Sequence, residues 1–222
     1  MEESLRNILS DGASAIGIPL GAEAPSLFDA YQRELLVWNR RINLVSEKSS
    51  RQIVVRHFLD SLTAAPWIAN PMGLLIDIGS GGGFPGIPLR IVLPGLQVWL
   101  VESSRKKTSF LSHIVRTLGL QGVSVIRERV EVLIGEKACA GCFDTAVSRA
   151  AFKLPELLKM ASFFLKPGGR LIAMKGSDLQ EEMEAADSVL KMTGMSQAAC
   201  RDVSLPGMDL SRKIIVYDRI SV

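Results

Sequence analysis

Two carboxylates and a run of glycines are spaced as a ligand site between residues 74 and 102. Residues 74–86 read LLIDIGSGGGFPG, a short apolar run entering a glycine-rich turn, with Asp77 just before the turn. Such a turn lets backbone N–H groups approach a nucleotide-like ligand, because no side chain intervenes and Gly tolerates left-handed backbone angles. A carboxylate at 77 suits a ligand bearing a cation or hydroxyls better than one bearing a pyrophosphate. Glu102 ends a second apolar run, QVWLVES. It lies about 20 residues beyond the glycines, where an acid accepts both ribose hydroxyl protons. An NAD-like and an adenosyl ligand would both be served. The register of the turn is open: Gly81-x-Gly83-x-x-Gly86 matches the dinucleotide fingerprint, whereas Gly79-x-Gly81 lies closer to the strand and places Phe84 third.

Three later segments carry further polar groups toward the same edge. In RERVE, 127–131, Val130 offers an apolar face and Glu131 an acceptor for a heteroaromatic ring such as adenine. FDTAVSRA, 143–150, opens on an Asp and ends on Ser148 and Arg149. LKPGGRLIAMKG, 165–176, turns sharply at Pro167-Gly168-Gly169 and ends on the basic Lys175. Arg105, Lys106 and Lys107 follow Glu102 directly, and a second basic run holds Arg33, Arg40, Arg41, Lys48, Arg51 and Arg56 against Glu34 and Glu47. Phosphate contacts by such groups give salt-dependent, largely sequence-blind affinity. His57 sits among Ile53, Phe58 and Leu62 and reads as a satisfied core histidine rather than a proton carrier. Cys139 and Cys142 form a lone C-x-x-C with only two histidines in the chain, so no metal site is expected.

The elements that must position these residues follow from periodicity. Residues 26–43 and 51–68 carry apolar side chains at helical spacing, and Asn70-Pro71-Met72-Gly73 is a break. Beyond it, strand patterns at 74–78, 97–102, 123–127, 143–148, 170–175 and 213–218 alternate with helical stretches such as 105–118 and 153–165. That alternation predicts βαβ units and a parallel sheet covered on both faces. Residues 199–204 and 213–218 are expected to pair as a hairpin. The reading is an N-terminal helical extension, 1–70, packed on a core domain, 71–222. The chain of 222 residues is 47% apolar with a net charge of +3, which permits a polyanionic partner without demanding one. No apolar run approaches a membrane span, the N-terminus has no leader pattern, and three cysteines suit a reducing compartment. A cytoplasmic monomer is expected.

Taken together, residues 74–222 resemble the class I S-adenosylmethionine-dependent methyltransferases, with their D-x-G-x-G element, an acid ending the second strand and an L-x-P-G-G turn. A narrower resemblance covers nearly the whole chain. WNRRINLVS at 38–46, RHFLDSL at 56–62, IDIGSGGGFPGIPL at 76–89, RERVE at 127–131 and VSRA at 147–150 resemble the RsmG, or glucose-inhibited division protein B, family. That resemblance implies methyl transfer from S-adenosylmethionine to a guanine N7 of 16S rRNA in the small ribosomal subunit. It implies a Rossmann-like, mostly parallel sheet with a C-terminal antiparallel hairpin. It places Asp77, Gly79, Gly81 and Phe84 on the methionine and ribose side, Glu102 on the ribose, Val130 and Glu131 on the adenine, and Arg149 near the methionine carboxylate or the incoming base. RNA contacts fall to Arg105, Lys106, Lys107 and Lys175. No general base is required, since N7 carries a lone pair and no proton.

Overall fold

The computed structural model describes residues 1–47, 49–205 and 212–220. The N-terminal part is helical. Helices α1 (Glu3–Ala15) and α2 (Ala24–Asn39) come first, then a helical stretch in three pieces: α3 (Ser50–Ile53), a π-helical turn (Val54–Leu59) and α4 (Asp60–Leu62). Pro25 opens α2 where its missing N–H costs nothing. The helix expected over 51–68 is thus not uniform. Its middle carries the wider π-turn, and a short 3₁₀ turn at Ala65–Trp67 ends it around Pro66.

Among the described residues seven strands follow in one sheet: β1 (Leu74–Ile78), β2 (Gln97–Val101), β3 (Val123–Ile126), β4 (Phe143–Arg149), β5 (Leu165–Gly176), β6 (Met195–Val203) and β7 (Arg212–Arg219). Their order is β3-β2-β1-β4-β5-β7-β6. Pairing is parallel from β3 to β5, and β7 runs antiparallel to both β5 and β6. The mostly parallel sheet with an antiparallel C-terminal pair is present as expected. The turn joining β6 to β7, at 206–211, lies outside the described residues. β5 is longer than the predicted strand. It begins at Leu165 and absorbs the Pro-Gly-Gly turn as an irregularity, its register against β4 shifting between Phe143 and Thr145.

Helices α5 (Gly86–Val92) and α6 (Arg105–Thr117) pack on one face of the sheet, and α7 (Val130–Leu133), α8 (Leu154–Phe164) and α9 (Gln180–Thr193) on the other. Side chains divide between the faces with the period of two that a strand imposes. Leu75, Val98 and Leu100 join the first cluster, while Ile76, Ile78 and Val101 join the second. The N-terminal helices belong to the first cluster. Phe28 meets Phe58 at 4.9 Å between ring centres, and Tyr31 stacks on Phe84 at 5.4 Å. The Tyr31 hydroxyl donates to the carbonyl of Gly82 in the glycine turn. Each such buried side chain contributes roughly 1.5–3 kcal/mol, so residues 1–70 are part of what holds β1 and its turn in place. Trp38 packs against Phe110 and His113, and Trp99 against Phe143, as expected of packing residues.

Candidate active site

β1 has β2 on one side and β4 on the other, so the sheet's order reverses at its end. Ligands of open α/β sheets lie outside the carboxyl ends of the strands at such a point. Ser148, near the end of β4, donates its hydroxyl hydrogen to the last carbonyl of β1, Ile78, at 2.8 Å, and fixes the two strand ends together. The chain then leaves β1 through Gly79 (φ +80°) and Gly81 (φ +56°), angles that a side chain rarely adopts. Beside them opens a cavity of about 490 Å³.

Gly79, Gly81, Glu102, Lys107, Val130, Glu131 and Arg149 all border this cavity. Glu102 is aimed by the backbone. Its Oε2 accepts from the Gly81 N–H at 3.1 Å and its Oε1 from the Ser104 N–H at 2.8 Å. A carboxylate held by two amides and open to a cavity can take hydroxyl donors without first paying to order itself. Val130 is buried and closes the wall, whereas Glu131 is exposed at the rim. The two registers of the glycine turn differ in what they meet. Gly79-x-Gly81 meets the cavity, while a Cβ on Gly86 would fall 2.5 Å from Leu100 and 2.7 Å from the Asp77 carboxylate. Gly86 serves the close approach of α5 to the sheet.

Three expected site residues lie elsewhere. Asp77 is fully buried on the opposite side of β1 from Ile76 and Ile78, as strand alternation requires. Its Oδ2 accepts from the Gly86 N–H at 2.9 Å, so it caps the start of α5 behind the turn instead of facing the cavity. Burial pushes its pKa up to about 7, only partly offset by the Gly86 N–H and the Arg149 charge. Phe84 is 3% exposed, with its ring between Tyr31 and His57, and does not border the cavity. Lys175 is buried at 6% exposure. Its ammonium donates to the Phe152 carbonyl and, at 2.7 Å, to Glu182, which leaves it no free reach toward a phosphate.

Arg149 borders the cavity, but its guanidinium is turned to the π-turn. Nη1 donates to the Arg56 carbonyl at 2.9 Å and to Asp60 Oδ2 at 3.0 Å, and Nη2 donates to His57 Nδ1 at 2.8 Å. It also lies 4.9 Å above the Phe84 ring. Since arginine only donates, His57 Nδ1 is an acceptor, and Nε2–H donates to Glu47 at 2.7 Å. Burial and then the Arg149 charge lower the His57 pKa to about 4, against the pull of Glu47. His57 is therefore a satisfied, neutral histidine. The motif RHFLD is a clamp on the end of β4.

Glu128 and Arg129 of the RERVE run also border the cavity, Glu128 beside the chosen Glu131, and the segment Ala150-Ala151-Phe152 after β4 is a wall that sequence reading missed. Ala150 has φ +55°, a strained angle for a residue with a Cβ, which turns the chain sharply at the cavity edge. Its only signal in the sequence is its place at the end of a central strand. Of the basic cluster, Lys106 is exposed, Lys107 borders the cavity, and Arg105 lines a separate groove on α6 with Arg116, Arg127 and Trp38.

The strand order, the antiparallel β7 and a cavity walled by the first glycine turn and the acid ending β2 define the class I methyltransferase fold. Solved structures of that class agree. A precorrin-6y C5,15-methyltransferase from Geobacter metallireducens superposes with a TM-score of 0.55 at 14% identity, covering 81% of this chain and 91% of that one. P. horikoshii TYW2 in complex with MeSAdo superposes with a TM-score of 0.59 at 13% identity, covering 75% and 63%. Within the class, a model of the family described as GidB, rRNA small subunit methyltransferase G, matches residues 25–212. A ribosomal RNA small subunit methyltransferase G from Syntrophus aciditrophicus is 45% identical over 95% of this chain and 88% of its own length, and one from Geobacter sp. strain M21 is 39% identical over 99% and 100%. The chain belongs to the GidB family of rRNA small subunit methyltransferases.

Proposed function

We propose that the protein transfers the methyl group of S-adenosylmethionine to N7 of one guanine in 16S rRNA, and that it acts as a cytoplasmic monomer with the rRNA or the small-subunit particle as its partner. The observation that carries this reading is the pre-aimed Glu102 carboxylate facing a 490 Å³ cavity beside Gly81, in a member of this family. The residues present fit the cofactor. Glu102 offers acceptors for ribose hydroxyls, Val130 an apolar face for adenine with Glu131 at its rim, and the side-chain-free Gly79 and Gly81 a close approach for the methionine part. The cavity's volume lies within the span of roughly 300–1,000 Å³ usual for small-ligand sites.

When bound, S-adenosylmethionine supplies a methyl group already activated by its sulfonium charge. The protein's share of the work is then positioning. Guanine N7 attacks with a free lone pair, so the chain needs to hold the base in line and keep water out. Among the described residues the histidines are engaged elsewhere, His57 with Arg149 and Glu47, His113 with Glu34. No three His, Cys, Asp or Glu side chains among the described residues gather as a metal site, and no helix there is long and apolar enough to cross a membrane.

Calorimetry tests the placement. S-adenosylhomocysteine should bind the purified protein and NADH should not. Glu102→Gln should weaken S-adenosylhomocysteine by about 10- to 100-fold, the worth of hydrogen bonds to a charged group, and Gly81→Asp should abolish binding. Unchanged affinity in both variants would move the cofactor to another part of the molecule.

A further inference from the structure

The wall formed by Ala150, Ala151 and Phe152 has a second side. There the segment after β4, the end of β5 and the first turns of α8 and α9 border a second, open cavity of about 440 Å³, lined by Phe152, Lys153, Glu156, Lys175, Asp178 and Glu182. The two cavities meet at this three-residue segment, which lines both, so a molecule in the second lies next to a cofactor in the first. Glu182 is prepared for a ligand there. Its Oε2 accepts from the Lys175 ammonium at 2.7 Å and from the Leu154 N–H at 3.0 Å, which fixes the carboxylate in one orientation. Among the described residues Oε1 accepts no hydrogen bond, and the side chain is 29% exposed. Burial opposes the charge of Glu182, but Lys175 and the Leu154 N–H outweigh it and hold the pKa below the usual glutamate value. Phe152, half-buried on the shared wall, offers an aromatic surface of the kind on which bases stack.

We propose that this second cavity receives the acceptor base and that Glu182 Oε1 reads its N1–H and N2–H₂ edge, selecting guanine. The inference rests on the reading above, that the methyl group goes to guanine N7. With N7 directed at the cofactor, the N1–H and N2–H₂ donors lie on the far side of the base, where they need an acceptor. A fixed carboxylate supplies one. Adenine presents a lone pair at N1 in the same place, which a carboxylate repels. Glu182 is thus a specificity residue that touches the substrate, and Lys175 positions it.

The test uses the full-length protein saturated with S-adenosylhomocysteine, titrated calorimetrically with 5′-GMP, IMP and AMP. Wild type should bind GMP at least about tenfold more tightly than AMP, with IMP, which lacks the N2 amino group, between them. Glu182→Gln should bring GMP and AMP to within about threefold while leaving S-adenosylhomocysteine affinity unchanged. Equal binding of GMP and AMP to wild type overturns the inference with no variant needed, and so does a full GMP preference in Glu182→Gln. Methyl transfer by wild type to small subunits lacking the modification is measured alongside. Transfer to guanine N7 together with equal nucleotide binding removes this inference alone, whereas transfer to another atom removes the reading beneath it.

Discussion

Two buried titratable side chains set opposite pH slopes. Asp77, raised to about 7, binds its proton in the folded state at pH values where the unfolded chain has already released it. Its contribution to stability is therefore largest below its unfolded pKa and is lost as pH rises from about 4 to 7. His57, lowered to about 4, behaves in the reverse sense: its contribution is complete above its unfolded pKa of about 6.5 and is lost as pH falls through 4. The two slopes oppose each other in the same window. Asp77→Asn keeps an oxygen for the Gly86 N–H but removes one slope, so the urea midpoint of that variant should fall more steeply than wild type between pH 7 and pH 4.5. Parallel curves for the two proteins would show that Asp77 does not titrate as described.

Among the elements, the π-turn and the end of β4 form one device. The clamp joins residues about 90 positions apart in the chain: Arg149 to Asp60, His57 and the Arg56 carbonyl. Asp60 is 1% exposed, with Arg212 as a second cation at 3.4 Å from its other oxygen. Arg149→Met should destabilise the protein by about 3 kcal/mol, the lower end for breaking a buried ion pair, because Arg212 remains. Chemical denaturation measures it, and a change below the usual scatter of surface substitutions would mean the clamp is dispensable. This contact explains why the site was only partly legible in the sequence. Gly79, Gly81 and Glu102 could be brought to one cavity from the sequence because glycine turns and strand-ending acids act locally, at fixed distances along one βα unit. Arg149 could be placed at the sheet edge, but its partners lie in a distant helix whose periodicity gives no sign of a π-turn. Asp77 was misplaced for a different reason. Alternation along LLIDI assigns it to the face of α5, and that local signal outweighs the attraction of putting an acid near a cationic ligand. Lys175, like Arg149, is held by a partner that the strand pattern does not show, Glu182 on the next helix.

At the scale of the molecule, strand and helix alternation was readable because each βα unit repeats the same change of period. Less readable was how far the N-terminal helices enter the core. Leu9, Phe28, Tyr31, Leu35 and Phe58 are all at most 1% exposed and share one cluster with Leu75, Val98 and Leu100 of the sheet. A truncated chain of residues 71–222 would expose that face of the sheet and lose the Tyr31 hydrogen bond to the glycine turn. It should be recovered without a cooperative thermal transition; a soluble fragment that melts cooperatively and binds S-adenosylhomocysteine would show that the core folds without the extension.

Methyl transfer as proposed requires a base held in line with a donor at the carboxyl edge of β1, β2 and β4. The most direct measurement incubates the purified protein with labelled S-adenosylmethionine and small ribosomal subunits from cells lacking the protein, then maps the labelled nucleotide by borohydride reduction and aniline scission, which cut at N7-methylguanosine. One guanine in 16S rRNA should carry the label and be cut, and Glu102→Gln should reduce both together. Label on a nucleotide that resists scission, or no label at all, would contradict it.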